Sequence, residues 1–258
     1  MAGVISKGQK KAMRRIMRDM RGVKEIECLG IYVHYDPDYP FEAKALIIGP
    51  EDTPYEKGFF LFNIKFPDNY PFSSPDVKFM TGDGRTRFHP NLYVKGKVCL
   101  SILGTWSGPS WTSSQNLSSV LTSIQSLLDD APLRNEPGFE KAKGKKLELY
   151  SRAVQYGVYS TSVMIQLEKC PTGFAQLYTH MKKHFVDNFD WYVYKLNTLS
   201  EELDGKTEKS AVYSHMPKNT FDYRGVLNGL LELYNEFTGN VVVTEDTLKF
   251  ISKEAISV

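Results

Sequence analysis

Apolar residues return along the chain in two different rhythms. Between residues 7 and 24, Met13, Ile16, Met17 and Met20 recur at three- and four-residue spacing with no intervening proline, which predicts an amphipathic helix. Shorter runs follow at 31–35, 43–48, 59–66 and 77–80, separated by turn residues such as Asp36-Pro37-Asp38 and Gly49-Pro50-Glu51-Asp52. In the third run Phe60, Phe62, Ile64 and Phe66 share one face while Asn63 and Lys65 lie on the other. That period of two marks a strand with at least one buried side. Turns this short, with no helix between strands, predict an antiparallel meander. Residues 66–75 carry Pro67, Pro71 and Pro75, so they read as a stiff, non-helical turn with Phe72 at its crest.

The second half is helical in rhythm. Leu117, Val120, Leu121, Ile124, Leu127 and Leu128 predict a helix capped by Ser113 or Ser114, running to about Asp130 and stopping before Pro132. A polar loop, residues 131–138, comes next. From about Glu140 onward the pattern is entirely helical. One stripe is Phe174, Leu177, Tyr178, Met181 and Phe185; another is Phe189, Tyr192, Leu196, Leu199 and Leu203. Leu227, Leu230, Leu231 and Tyr234 mark a last helix. Residues 204–219 show no period and read as a mobile loop, and the tail from Gly239 reads as weakly ordered. There is no internal repeat.

Composition narrows the class. At 258 residues the chain exceeds a typical domain of roughly 100–150 residues, so one domain with a long extension or two packed units is expected. With 41% hydrophobic and 24% charged residues it reads as globular. A net charge of +2 argues against nucleic acid as the main partner, and no apolar run approaches the ~20 residues of a membrane span. The N-terminus lacks a signal-peptide core, and Cys28, Cys99 and Cys170 form neither a disulfide framework nor a zinc pattern. An intracellular, reducing setting follows, in which a thiolate persists. Charge is uneven, however: residues 1–24 hold eight Lys/Arg against Asp19, a net +7. That face is either solvated or a docking surface for an acidic partner.

The chemistry concentrates in residues 88–111, where Cys99 stands ten residues after His89 and ahead of an irregular loop flanked by Trp106 and Trp111. Taken alone, Cys99 is either a small buried hydrophobe or a presented nucleophile. No Ser/His/Asp arrangement, Gly-rich phosphate loop or metal-ligand spacing competes with it. A thiol hydrolase would pair it with His89 as base, but His89 before Pro90 serves equally well to hold a turn.

His89-Pro90-Asn91 followed by Gly96-Lys97-Val98-Cys99-Leu100 resembles the ubiquitin-conjugating enzyme family. Tyr70-Pro71-Phe72, Gly49-Pro50, Thr53-Pro54-Tyr55 and Gly58 stand in that family's order and approximate spacing. The resemblance runs from the basic first helix to about Phe139. It implies an α+β fold: N-terminal helix, four-stranded antiparallel meander, active-site loop, central helix and C-terminal helices. It also implies that Cys99 accepts ubiquitin or a ubiquitin-like protein as a thioester from an activating enzyme and passes it to an amine, usually a lysine of a protein substrate. Asn91 would sit near the oxyanion or brace the loop; His89 and Pro90 would support the loop. Glu136, with Asn135 beside it, occupies the place of an acidic group that helps deprotonate the amine. An exposed loop glutamate is the plainer reading of Glu136.

Three features depart from the common pattern. Ser101 stands where many members carry Asp, the loop 104–111 is longer with an extra tryptophan, and helical sequence continues well beyond Tyr150. Together they are similar to the C-terminally extended Z-type subgroup, which accepts a restricted activating enzyme and a second modifier besides ubiquitin. By the same resemblance Arg14, Arg15 and Arg18 would meet the activating enzyme and, in part, ligases. Phe72, Pro109 and Ser110 would meet ligase domains, and Trp106 would tune ligase choice. The expectation is thus a catalytic core over residues 1–150 with a helical extension over 151–258, acting as a monomer in cytoplasm and/or nucleus. No cofactor is expected, ATP being consumed by the activating enzyme. The rivals are a catalytically silent ubiquitin-binding relative and a thiol hydrolase.

Overall fold

The computed structural model describes residues 6–209, 212, 213, 216 and 218–239. Helix α1, Lys7–Gly22, starts at a capping box in which the Ser6 hydroxyl accepts from the Gln9 N–H and the Gln9 side chain accepts from the Ser6 N–H. Its buried residues are Ala12, Ile16 and Asp19, whereas Met17 is exposed. The inward face is therefore rotated from the methionine stripe. The reason is Asp19, whose carboxylate accepts from Arg15, from the Tyr70 hydroxyl and from the Leu117 N–H, and so belongs inside.

A 3₁₀ turn, Val23–Leu29, leads into strands β1 Ile31–His34, β2 Glu42–Ile48, β3 Phe59–Lys65 and β4 Asp76–Phe79. They pair antiparallel in the order β1-β2-β3-β4, the expected meander. Helix α2, Leu117–Gln125, buries Leu117, Val120, Leu121 and Ile124 in the same core as the strands. Its cap is Asn116, not Ser113 or Ser114, because the Asn116 side chain takes the Ser119 N–H. The helix also ends at Gln125, five residues short of the expected stop.

Strand β3 departs from simple alternation: Phe59, Phe60, Leu61 and Phe62 are all buried. Both sheet faces are covered, and the chain's own C-terminal region covers the second. Helix α3, Lys145–Gly157, runs on through a π segment, Val158–Ile165, into α4, Gln166–Glu168. Ser162 Oγ accepts from the Phe59 N–H and donates to the Phe59 carbonyl, both at 2.8 Å, and Gln166 Nε2 also donates there. Gly58 permits this approach, since a Cβ on it would meet Val158 Cγ1 at 2.7 Å.

Helices α5 Ala175–Asp187, α6 Phe189–Leu203 and α7 Tyr223–Thr238 complete the layer. Tyr32 stacks on His180, Phe59 meets His184 edge-on, and the Tyr192 hydroxyl donates to the Lys57 carbonyl. The periodic stripes lie inward: Phe174, Leu177, Met181, Phe185, Phe189, Tyr192, Leu196, Leu199 and Leu203 are buried. The region is not wholly helical, though. Residues 138–144 form turns, and β5 Thr207–Glu208, inside the stretch read as a patternless loop, pairs with β6 Asn219–Thr220 at its end. Residues 210, 211, 214, 215 and 217 of that stretch, and 240–258 of the tail, lie outside the described residues. Among the described residues no helix is long and apolar enough to cross a membrane.

Candidate active site

Two polar clamps hold the backbone on either side of Cys99. On one side Cys99 N–H donates to the Asn91 carbonyl, and Asn91 Nδ2 donates back to the Cys99 carbonyl, each at 2.9 Å. On the other side Thr105 Oγ1 accepts from the Leu100 N–H at 2.9 Å and reaches the Val98 carbonyl at 2.7 Å. The cysteine is fixed in place and lies just beneath the surface, 1% exposed. Asn91 is itself buried, and its Oδ1 has no partner among the described residues.

His89 is fully buried, and its Nδ1 accepts from the Asn91 N–H at 3.0 Å. That bond places the ring proton on Nε2. Desolvation, reinforced by the neighbouring Arg87 guanidinium, lowers its pKa to about 3. A neutral imidazole whose accepting nitrogen is already used braces the turn and is not placed to deprotonate a thiol.

The residue that organises this turn is Arg87, which the sequence reading missed. Its guanidinium is buried, lies 3.4 Å from the Tyr93 ring centre, and donates to the carbonyls of His89 and Pro90. The Tyr150 hydroxyl donates to the Arg87 carbonyl and the Tyr55 hydroxyl to the Phe88 carbonyl. Two tyrosines and one arginine thus pin residues 87–90. In sequence, the only signal was an arginine two residues before the His-Pro-Asn triplet.

His89, Pro90, Asn91 and Cys99 are brought together directly, while the acidic loop joins them less directly. Glu136 follows a 3₁₀ turn, Pro132–Asn135, and its Oε2 accepts from the Tyr213 hydroxyl. The Tyr213 ring in turn lies 5.4 Å from the Arg87 guanidinium. Asn135 turns back into its own loop and donates to Asp129 Oδ2 at 2.9 Å. Among the described residues no group of three or more His, Cys, Asp or Glu side chains is arranged to hold a metal.

Beyond Cys99 the surface opens. Ser101 begins a 3₁₀ turn, Ser101–Leu103, and a Cβ on Gly108 would lie 2.9 Å from its own Cβ, so the long loop folds back over Ser101. Residues 104–110 are exposed, Trp106, Pro109 and Ser110 among them. Trp111 anchors the loop's end, donating from Nε1 to the Pro71 carbonyl at 2.7 Å beside the exposed Phe72. Gln9 links α1 to the same rim through Asp68. Arg14 and Arg18 are exposed, whereas Arg15 is engaged with Asp19 and the carbonyls of Ser113 and Gln115.

Residues 15–156 match the family model described as "Ubiquitin-conjugating enzyme", which is more than half of the chain. The chain belongs to the ubiquitin-conjugating enzyme family. It is 38% identical over 229 residues to ubiquitin-conjugating enzyme E2 Z of Danio rerio, covering 87% of this chain and 68% of that relative. Against the same-named proteins of Xenopus tropicalis and Homo sapiens it is 44% and 43% identical, over 69% and 70% of this chain. It spans 58% and 52% of those two relatives' own length. The family assignment agrees with the expected fold. The match with E2 Z proteins agrees with the resemblance to the Z-type subgroup, including its extended C-terminal region.

Proposed function

We propose that Cys99 receives the C-terminal carboxyl of ubiquitin or a ubiquitin-like protein as a thioester from an activating enzyme, then gives it up to an amine. The observation that carries this reading is the double clamp on Cys99, within a chain of this family. In loading, the Cys99 thiolate attacks the activating enzyme's thioester carbonyl, a new C–S bond forms and the donor thiolate leaves. In transfer, a lysine nitrogen attacks the Cys99 thioester, and collapse of the tetrahedral intermediate expels the Cys99 thiolate.

A thioester is already activated, so the enzyme's work is positioning, oxyanion stabilisation and removal of one proton from the amine. Asn91 Nδ2 carries two hydrogens, of which one serves the Cys99 carbonyl and the other is available to the oxyanion. Glu136 takes the proton. Because Cys99 is 1% exposed, loading requires the adjoining surface to open. Exposed Arg14 and Arg18 suit an acidic surface of the activating enzyme. Phe72, Trp106, Pro109 and Ser110 suit a ligase, and the long loop suits a choice among modifiers. The chain acts as a monomer with no cofactor of its own, in the cytoplasm, the nucleus or both, where its three free thiols stay reduced.

The test incubates the chain with an activating enzyme, ATP and either ubiquitin or a ubiquitin-like protein, and resolves products with and without reductant. A thiol-sensitive adduct that Cys99→Ser converts to a reductant-stable ester is expected. Release of free modifier without any acceptor would instead mark a thiol hydrolase. Absence of any adduct would leave a ubiquitin-binding role without transfer, the reading that the burial of Cys99 favours.

A further inference from the structure

We infer that Tyr213, far from the active site in sequence, is a positioning residue for Glu136, so that the C-terminal region completes the site where the amine is deprotonated. This rests on the transfer reading above.

Three observations meet at one phenol. First, the Tyr213 hydroxyl donates to Glu136 Oε2 across 77 positions of sequence. The bond is charge-assisted, of the class that fixes a carboxylate's orientation most firmly. Among the described residues Glu136 Oε1 accepts no hydrogen bond, which leaves one oxygen held and the other free to take a proton from an incoming amine. Second, the ring is held as well. It packs 5.6 Å from the buried Tyr150 ring and 5.4 Å from the Arg87 guanidinium. Third, Arg87 is the side chain that carries the carbonyls of His89 and Pro90. The acidic loop and the His-Pro-Asn turn therefore share a support supplied from residue 213.

The Glu136 backbone is held, the N–H donating to the Leu133 carbonyl and the carbonyl accepting from the Phe139 N–H, so what the Tyr213 bond adds is the orientation of the side chain. Without that bond the glutamate side chain samples several rotamers, and a wrongly pointed base loses much of its advantage. Burial and the Glu136 carboxylate both raise the pKa of Tyr213, so the phenol stays a donor throughout the physiological range.

The test is a double-mutant cycle on single-turnover discharge of a preformed thioester to free lysine, with loading measured separately. Tyr213→Phe keeps the ring and removes only the hydroxyl. Loading and melting temperature are expected to stay near wild type while discharge slows several-fold. In the Glu136→Ala background the same change is expected to have no further effect, a coupling that a purely structural tyrosine would not show. Equal slowing in both backgrounds, or none in either, would overturn the inference. Faster discharge in Tyr213→Phe would also overturn it, since the phenol would then be a latch holding Glu136 away. A wild-type chain that takes up no modifier would overturn the parent reading instead, and the loading arm reports that on its own.

Discussion

The two stretches flanking Cys99 are built in opposite ways. Residues 87–92, 98 and 99 are buried, and their backbone is tied down: Arg87 on two carbonyls, tyrosine hydroxyls on two more, Asn91 and Cys99 bonded to each other. Residues 104–110 are exposed throughout, and their described anchors are Thr105 near the start and Trp111 just past the end. The contrast divides the labour. Under the proposed function, chemistry that requires a fixed geometry sits on the braced half, and the exposed half is the one offered to partners.

The strongest way to break that contrast is Arg87→Ala. It leaves the buried carbonyls of His89 and Pro90 without their donor and empties the space against Tyr93, so a loss of about 2–4 kcal/mol is expected in denaturant unfolding. A loss within ~0.5 kcal/mol would mean the turn is held by other groups. Next comes pH. His89 has a folded pKa of about 3, below its unfolded value, so the unfolded chain takes up a proton that the folded chain refuses. Its stabilisation is present above about pH 6.5 and is lost as pH falls toward 3, at about 1.4 kcal/mol per pH unit inside that window. Half-buried His184, lowered to about 4 by desolvation and then Lys57, adds to the loss with the same sign. Unfolding free energies at pH 7 and pH 5 should differ by less in His89→Gln than in wild type; equal differences would remove His89 as the cause.

The exposed half should respond weakly. Trp111→Phe forfeits one hydrogen bond to the Pro71 carbonyl, worth about 1 kcal/mol, and frees the loop from the Phe72 turn. Trp106→Ala is expected to change stability by no more than about 0.5 kcal/mol while altering the rate of ligase-stimulated transfer. A large stability loss from Trp106→Ala would show that the loop belongs to the rigid half after all.

Much of this was legible in the chain. Period-two alternation and short turns predicted the meander, and the His-Pro-Asn-to-cysteine spacing pointed to two segments that the fold does bring together. What escaped has a common cause: the missing residues act through partners distant in sequence. Asp19 was counted with the charge of the first helix and Arg87 drew no reading, yet both are buried because carbonyls, a phenol and a helix N-terminus come to them from elsewhere. The phase of α1 was misread for that reason. Tyr213 lay in a stretch without period, where no rhythm flags a residue, and its importance rests on a glutamate 77 positions away. The covering of the β3 outer face was also invisible, since alternation identifies one apolar face but not what packs on the other.

The π segment carries a practical consequence. Ser162 saturates both backbone groups of Phe59, and the layer behind it seals Phe59 and Leu61 from water. A chain cut after Gly157, where the family match has just ended, would keep every residue of the meander. It would also present a bare aromatic sheet to solvent. Such a fragment is expected to precipitate or self-associate, so the stretch that looks most like other conjugating enzymes is here the part least able to live alone.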